Sequence, residues 1–146
     1  MDTTENADIT VKTVVYAPIE EVWNIWTSPD HIIKWNNASD DWHTPAAEND
    51  LREGGKFVYR MEAKDGSAAF AFSGIYEEVV PQSRIVYKLE DDRVVSVSFE
   101  EANDGVTVSE IFTPEKVNSI ELQQSGWQSI LDNFKNYTEG LAKRVE

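Results

Sequence analysis

From Gly54 to Phe112 the chain reads as strand and turn with little else, and two amphipathic helices of unequal length bracket that stretch. The short helix lies near the front, over Pro18–Trp26. The long one closes the back, over Asn118–Val145. Few architectures accept this order. A sheet of that extent needs a cover for its apolar face, and only the C-terminal helix is long enough to supply one. A long helix laid across a curved antiparallel sheet commonly leaves a cavity, and a cavity is a ligand site.

The local signals are specific. Ile9–Tyr16 alternates Ile9, Val11, Thr13 and Val15 against Thr10, Lys12, Val14 and Tyr16, as a strand does. Pro18 suits a first helical position, and Glu20 and Glu21 fall where the helix dipole favours acids. Ile19, Val22, Trp23 and Trp26 make one apolar face. Ser28-Pro29 opens a second short helix through Ile33. Trp35–Leu51 has no clean period and reads as a long loop, of the kind that serves as a lid. Beyond Gly54, alternating runs are punctuated by Asp65-Gly66, Pro81–Ser83, Asp91-Asp92 and Asp104-Gly105, the mark of an antiparallel meander. Asn118 and Glu121 resemble a capping box. Behind them Trp127, Ile130, Leu131, Phe134, Thr138, Leu141 and Val145 form a stripe at helical spacing. Gly126 interrupts this helix, at a cost of about 1 kcal/mol relative to alanine, and a close approach to something bulky would explain it.

With 146 residues the chain reads as a single domain over 8–146 behind a frayed tail at 1–7. Thirteen Lys and Arg stand against 27 Asp and Glu, for a net charge of −14. Nucleic acid binding usually needs a basic face, so the balance argues against that class, and anionic membrane surfaces are disfavoured. There are no cysteines, which removes disulfides, thiol catalysis and Cys-ligated zinc together. The first residues are polar and acidic and carry no secretory signal, and no apolar run approaches the length of a membrane span. A cytoplasmic location is expected.

The order strand, helix, helix, five strands, long helix resembles the helix-grip fold of the START-like superfamily, also called SRPBCC or Bet v 1-like. More narrowly, VVYAPIEEVWNIWTSPDHIIKWNNASDDWHTPAAENDLREGGKF, YRMEAKDGS, SGIYEEVVPQSRIVYKLEDDR and GWQSILDNFKNYTEG are similar to the bacterial branch of the family named for activators of the heat-shock-protein-90 ATPase. The resemblance implies an α+β fold, a curved antiparallel sheet of about six strands wrapped around the C-terminal helix. Two short helices follow the first strand. Relatives by shape include lipid-transfer domains, polyketide cyclases and carriers of hydrophobic ligands. The eukaryotic chaperone activators have an additional N-terminal domain for which 146 residues leave no room, so chaperone activation is not carried over.

On this fold Trp35, Trp42, Phe57, Tyr59, Met61 and Phe72 would line the space under the long helix. Tyr87, Val97, Trp127 and Leu131 would join them. They make either an apolar pocket with a few orienting polar groups or a filled core. Glu110 shares a strand face with Val106, Val108 and Phe112, so an inward carboxyl would sit in apolar surroundings. It orients a ligand, works as an acid–base group, or makes a structural hydrogen bond. Asp40, Asp41, His43, Glu48 and Asp50 cluster in the long loop, but their spacing matches neither an EF-hand nor H-E-x-x-H. The sequence shows no phosphate loop, dinucleotide fingerprint or nucleophile elbow, so no cofactor is expected. The leading expectation is a carrier of an apolar or aromatic small molecule, with no catalysis required. A cyclase- or dehydratase-like enzyme using Glu110 or His43 is the alternative. A protein–protein module linked to chaperones or stress is the third.

Overall fold

In a computed structural model that describes residues 8–102 and 105–145, seven strands form one antiparallel sheet in the order β1-β7-β6-β5-β4-β3-β2. The strands are β1 (Ile9–Val15), β2 (Trp42–Asn49), β3 (Lys56–Ala63), β4 (Ala69–Val80), β5 (Arg84–Leu89), β6 (Val94–Ala102) and β7 (Gly105–Phe112). Two short helices, α1 (Ile19–Thr27) and α2 (Pro29–Trp35), follow β1, and α3 (Ile120–Val145) closes the chain. The sheet curls around α3, so the α+β helix-grip expectation holds. Residues 1–7, 103–104 and 146 and the side chains of 142–145 lie outside the described residues, and with them the expected tail and part of the expected Asp104-Gly105 hairpin.

Alternation sets the inner face. On β7, Val106, Val108, Glu110 and Phe112 are buried, while Ile111 is exposed. Register carries that face across the sheet. Ile85, Val97, Glu110 and Val11 lie in one cross-strand row, and Tyr87, Val95, Phe112 and Ile9 in the next. On β4, Gly74 lies opposite Phe57, and a Cβ there would stand 2.9 Å from the Phe57 ring. Glycine at that position lets Phe57 lie flat over the sheet.

The seventh strand is the main departure from the sequence reading. Trp42–Asn49 is not a loop but an edge strand paired with β3, with a register shift between His43 and Ala46. Pro45 sits in that irregularity, where a missing backbone N–H is tolerated. Helix starts move by one residue. Pro18 is the residue before α1, and the cap of α3 is Ser119, whose hydroxyl accepts from Leu122 N at 3.1 Å. Asn118 instead donates to Glu115. Ser28 does precede α2, but its hydroxyl donates to Asn24 Oδ1 and does not cap the helix.

The two halves of α3 do different work. Its C-terminal half packs on α1 and α2. There Phe134 meets Trp26 at 4.8 Å and Trp35 at 4.9 Å between ring centres, both edge to face. The Trp35 indole donates to Ile25 O at 2.9 Å, which locks the ring in this cluster. Polar side chains of α3 also reach β1. Gln124 donates to Thr10 O, Gln128 to Lys12 O and Lys135 to Val14 O, while Tyr16 N donates to Glu139. Among the described residues no helix is long and apolar enough to cross a membrane.

Candidate functional site

Opposite β3, β4 and β5 the N-terminal half of α3, tied to β1 at one border, stands off the sheet and leaves a cavity of about 320 Å³. The cause lies in the side chains. Gly126 offers none, and a Cβ built on it would meet nothing within 4 Å. The expected bulky protein neighbour is therefore absent, and the glycine faces open space. The turn before Gly126 is occupied by Leu122 and Gln123, and the turn after it by Ile130, so the helix overhangs the sheet on either side of a gap.

The sheet supplies most of the wall. Phe57, Tyr59 and Met61 come from β3, Phe70, Phe72 and Tyr76 from β4, Ile85 and Tyr87 from β5, and Glu110 from β7. Trp26, Trp35 and Asn36 close one end, and Trp127 stacks on Phe112 at 3.9 Å beside it. The rings hold one another in place. Phe57 touches Tyr59, Phe72, Tyr76 and Tyr87, with centres 4.8 to 5.8 Å apart. Such aromatic contacts stiffen a wall beyond what buried area alone provides. Phe70 and Leu122 are 48% and 59% exposed and mark the open side.

The polar groups are few. Glu110 is 5% exposed, and among the described residues nothing hydrogen-bonds to it. Burial alone pushes its carboxyl up to about 8. Tyr87 is driven well above its ordinary value by burial first and by the Glu110 charge second. Tyr59 moves the same way through burial and then its neighbours Tyr76 and Tyr87. Tyr76 is raised to about 12, again mainly by burial, and its hydroxyl donates to Asn49. Glu115, half-buried in the segment before α3, is lowered by the backbone N–H of Asn118 first. Arg93 lies on the wall but is held by Asp91 at 2.7 Å.

Eight of the residues singled out from the sequence stand on this wall: Trp35, Phe57, Tyr59, Met61, Phe72, Tyr87, Glu110 and Trp127. Three do not. Trp42 lies on the edge strand with its ring against Phe70 at 5.9 Å. Val97 shares the row of Glu110 but is wholly buried, and Leu131 is wholly buried too, in the half of α3 that packs solidly. His43 is also elsewhere, on β2 with its Nε2 3.8 Å from Glu62, and takes no part in the cavity. Sequence reasoning missed Tyr76 and Ile85, although both sit in runs whose alternation pointed inward. Asn36, Arg93 and Glu115 lie in connections, where no period marks them, and Gln123 is a polar residue in the first turn of α3.

The comparisons with known proteins agree with this architecture. The family model described as "Activator of Hsp90 ATPase homolog 1-like protein" matches residues 16–139. The chain is similar to the solution structure of the AHSA1-like protein from Aeromonas hydrophila, with 42% identity, TM-score 0.86 and 92% and 93% of the two chains covered. A solution structure from Cytophaga hutchinsonii shares 47% identity over 95% of each chain, with TM-score 0.78. A crystal structure from Chromobacterium violaceum shares 25% identity, with TM-score 0.79 over 90% of this chain and 97% of that one. No curated protein matches.

Proposed function

Because the chain belongs to the Activator of Hsp90 ATPase homolog 1-like family, with its START-like helix-grip fold, we propose that it binds an apolar or aromatic small molecule between the sheet and α3. The observation that carries this reading is the cavity itself, open beside Gly126 and walled by rings from three strands. A pocket of a few hundred Å³ with a mainly apolar lining and a few fixed polar groups suits a drug-sized hydrophobic molecule. A cytoplasmic carrier or sensor of such a molecule fits the excess of acidic residues, which opposes binding to anionic surfaces.

The second reading, a cyclase- or dehydratase-like enzyme, rests on Glu110. A carboxyl that titrates near neutrality is suited to proton transfer. His43 no longer supports it, being on the edge strand.

Gly126 provides the test. Leucine there meets no protein atom at its Cβ and extends into the cavity. The expected result is that Nile red gains fluorescence with the native protein and fails to do so with Gly126→Leu, while both show the same circular dichroism. Equal gains from the two proteins would place the dye elsewhere and remove the support for a cavity ligand.

A further inference from the structure

Taking the cavity as a site for an apolar molecule, we propose that Glu110 is the ligand's polar anchor and acts as a hydrogen-bond donor. The ligand class is then an aromatic or aliphatic body carrying an acceptor oxygen, such as a ketone or ester carbonyl. This deepens the reading above and rests on it.

Geometry comes first. Glu110 lies on the inner face of β7, and its row neighbours Ile85, Val97 and Val11 are all apolar. It has no hydrogen-bond partner among the described residues, yet its oxygens are not sealed off. Among the described residues the only sealed side-chain polar atom without a partner is Thr138 Oγ1. The carboxyl therefore opens onto the cavity, where a ligand can reach it. A buried polar group without a partner is costly, and a molecule that supplies the partner recovers that cost on binding.

Charge decides which partner fits. The titratable or charged groups that share the wall are Tyr87 on β5, Tyr76 on β4, Tyr59 on β3, Arg93 in the β5–β6 turn and Glu115 after β7. From α1, α2 and α3 the wall receives none. Arg93 is engaged by Asp91, and burial is the cause acting on Glu110, so the carboxyl keeps its proton at neutral pH. It then donates. Tyr87 keeps its proton as well and is the second donor on that side. A protonated carboxyl together with a tyrosine in an apolar site is an established way to grip a carbonyl oxygen. A cationic amine makes the opposite demand, since Glu110 would have to release its proton and accept.

Three probes with one bicyclic body separate these demands: naphthalene, acetylnaphthalene and naphthylmethylamine, titrated by calorimetry into the whole protein. Acetylnaphthalene is expected to bind about fivefold more tightly than naphthalene below pH 8, the worth of one net hydrogen bond. That advantage should fade as pH rises through about 8. In Glu110→Met it should shrink to what Tyr87 alone supplies and lose its pH dependence, while naphthalene still binds. In Glu110→Gln the amide keeps a donor, so the advantage should persist and lose its pH dependence, and this variant carries the test if the Met variant fails to fold. Equal affinity for naphthalene and acetylnaphthalene in the native protein would overturn the anchor and leave the cavity reading standing. So would tightest binding of naphthylmethylamine with affinity rising with pH. Failure of all three probes to bind would take down both readings.

Discussion

Glu110 shows how far alternation reaches. Its inward direction is legible from Val108 and Phe112 on either side, and the structure places it on the inner face. The same logic fails for Val97 and Leu131, because a period gives the face of an element and not the depth of packing above it. Val97 faces the same way as Glu110 and is simply covered. Glu110 also ties stability to pH. Its folded value, about 8, lies above the ordinary 4.5, so the folded state holds the proton more tightly. The contribution is fully present below about 4.5 and is lost as pH rises through about 8. The loss is at most about 5 kcal/mol. Glu110→Gln removes it. Urea unfolding should therefore show the variant gaining on the native protein as pH rises from 4.5 to about 8, with no further gain above. A constant difference across that window would mean the carboxyl is ionised in the folded protein.

At the scale of elements, α3 divides at about its middle, and the stripe from Trp127 to Leu141 conceals the division because it runs through both halves. What separates them is the partner. Phe134 inserts between Trp26 and Trp35, whereas Trp127 leans on Phe112 beside open space. Phe134→Ala should cost about 4 kcal/mol, because a wholly buried ring is removed from a cluster too stiff to collapse. Chemical denaturation measures it, and a loss below about 1 kcal/mol would mean that the cluster closes over the gap. The strand β2 was illegible for a related reason. Alternation appears only when one face is buried, and along WHTPAAEN only Thr44 is. With Pro45 and a register shift inside it, an edge strand of this kind carries the composition of a loop.

For the whole molecule, a charge of −14 on 146 residues is a self-repulsion that folding concentrates into a smaller volume. Salt screens it over about 8 Å at physiological ionic strength. Raising sodium chloride from a few millimolar to about 0.15 M should raise the melting temperature, an effect calorimetry reads directly. An unchanged or lower value would mean that the surface ion pairs, which salt weakens, outweigh the repulsion. The bonds from Gln124, Gln128 and Lys135 of α3 to the carbonyls of Thr10, Lys12 and Val14 bear on the molecule as a whole. β1 is the last strand on its side, and unpaired carbonyls along such a border are a template on which another chain can add a strand. The helix that roofs the cavity is thus also the cover of that border. Any swing of α3 wide enough to admit a large guest uncovers β1, so an emptied, opened molecule is at greater risk of self-association than a closed one.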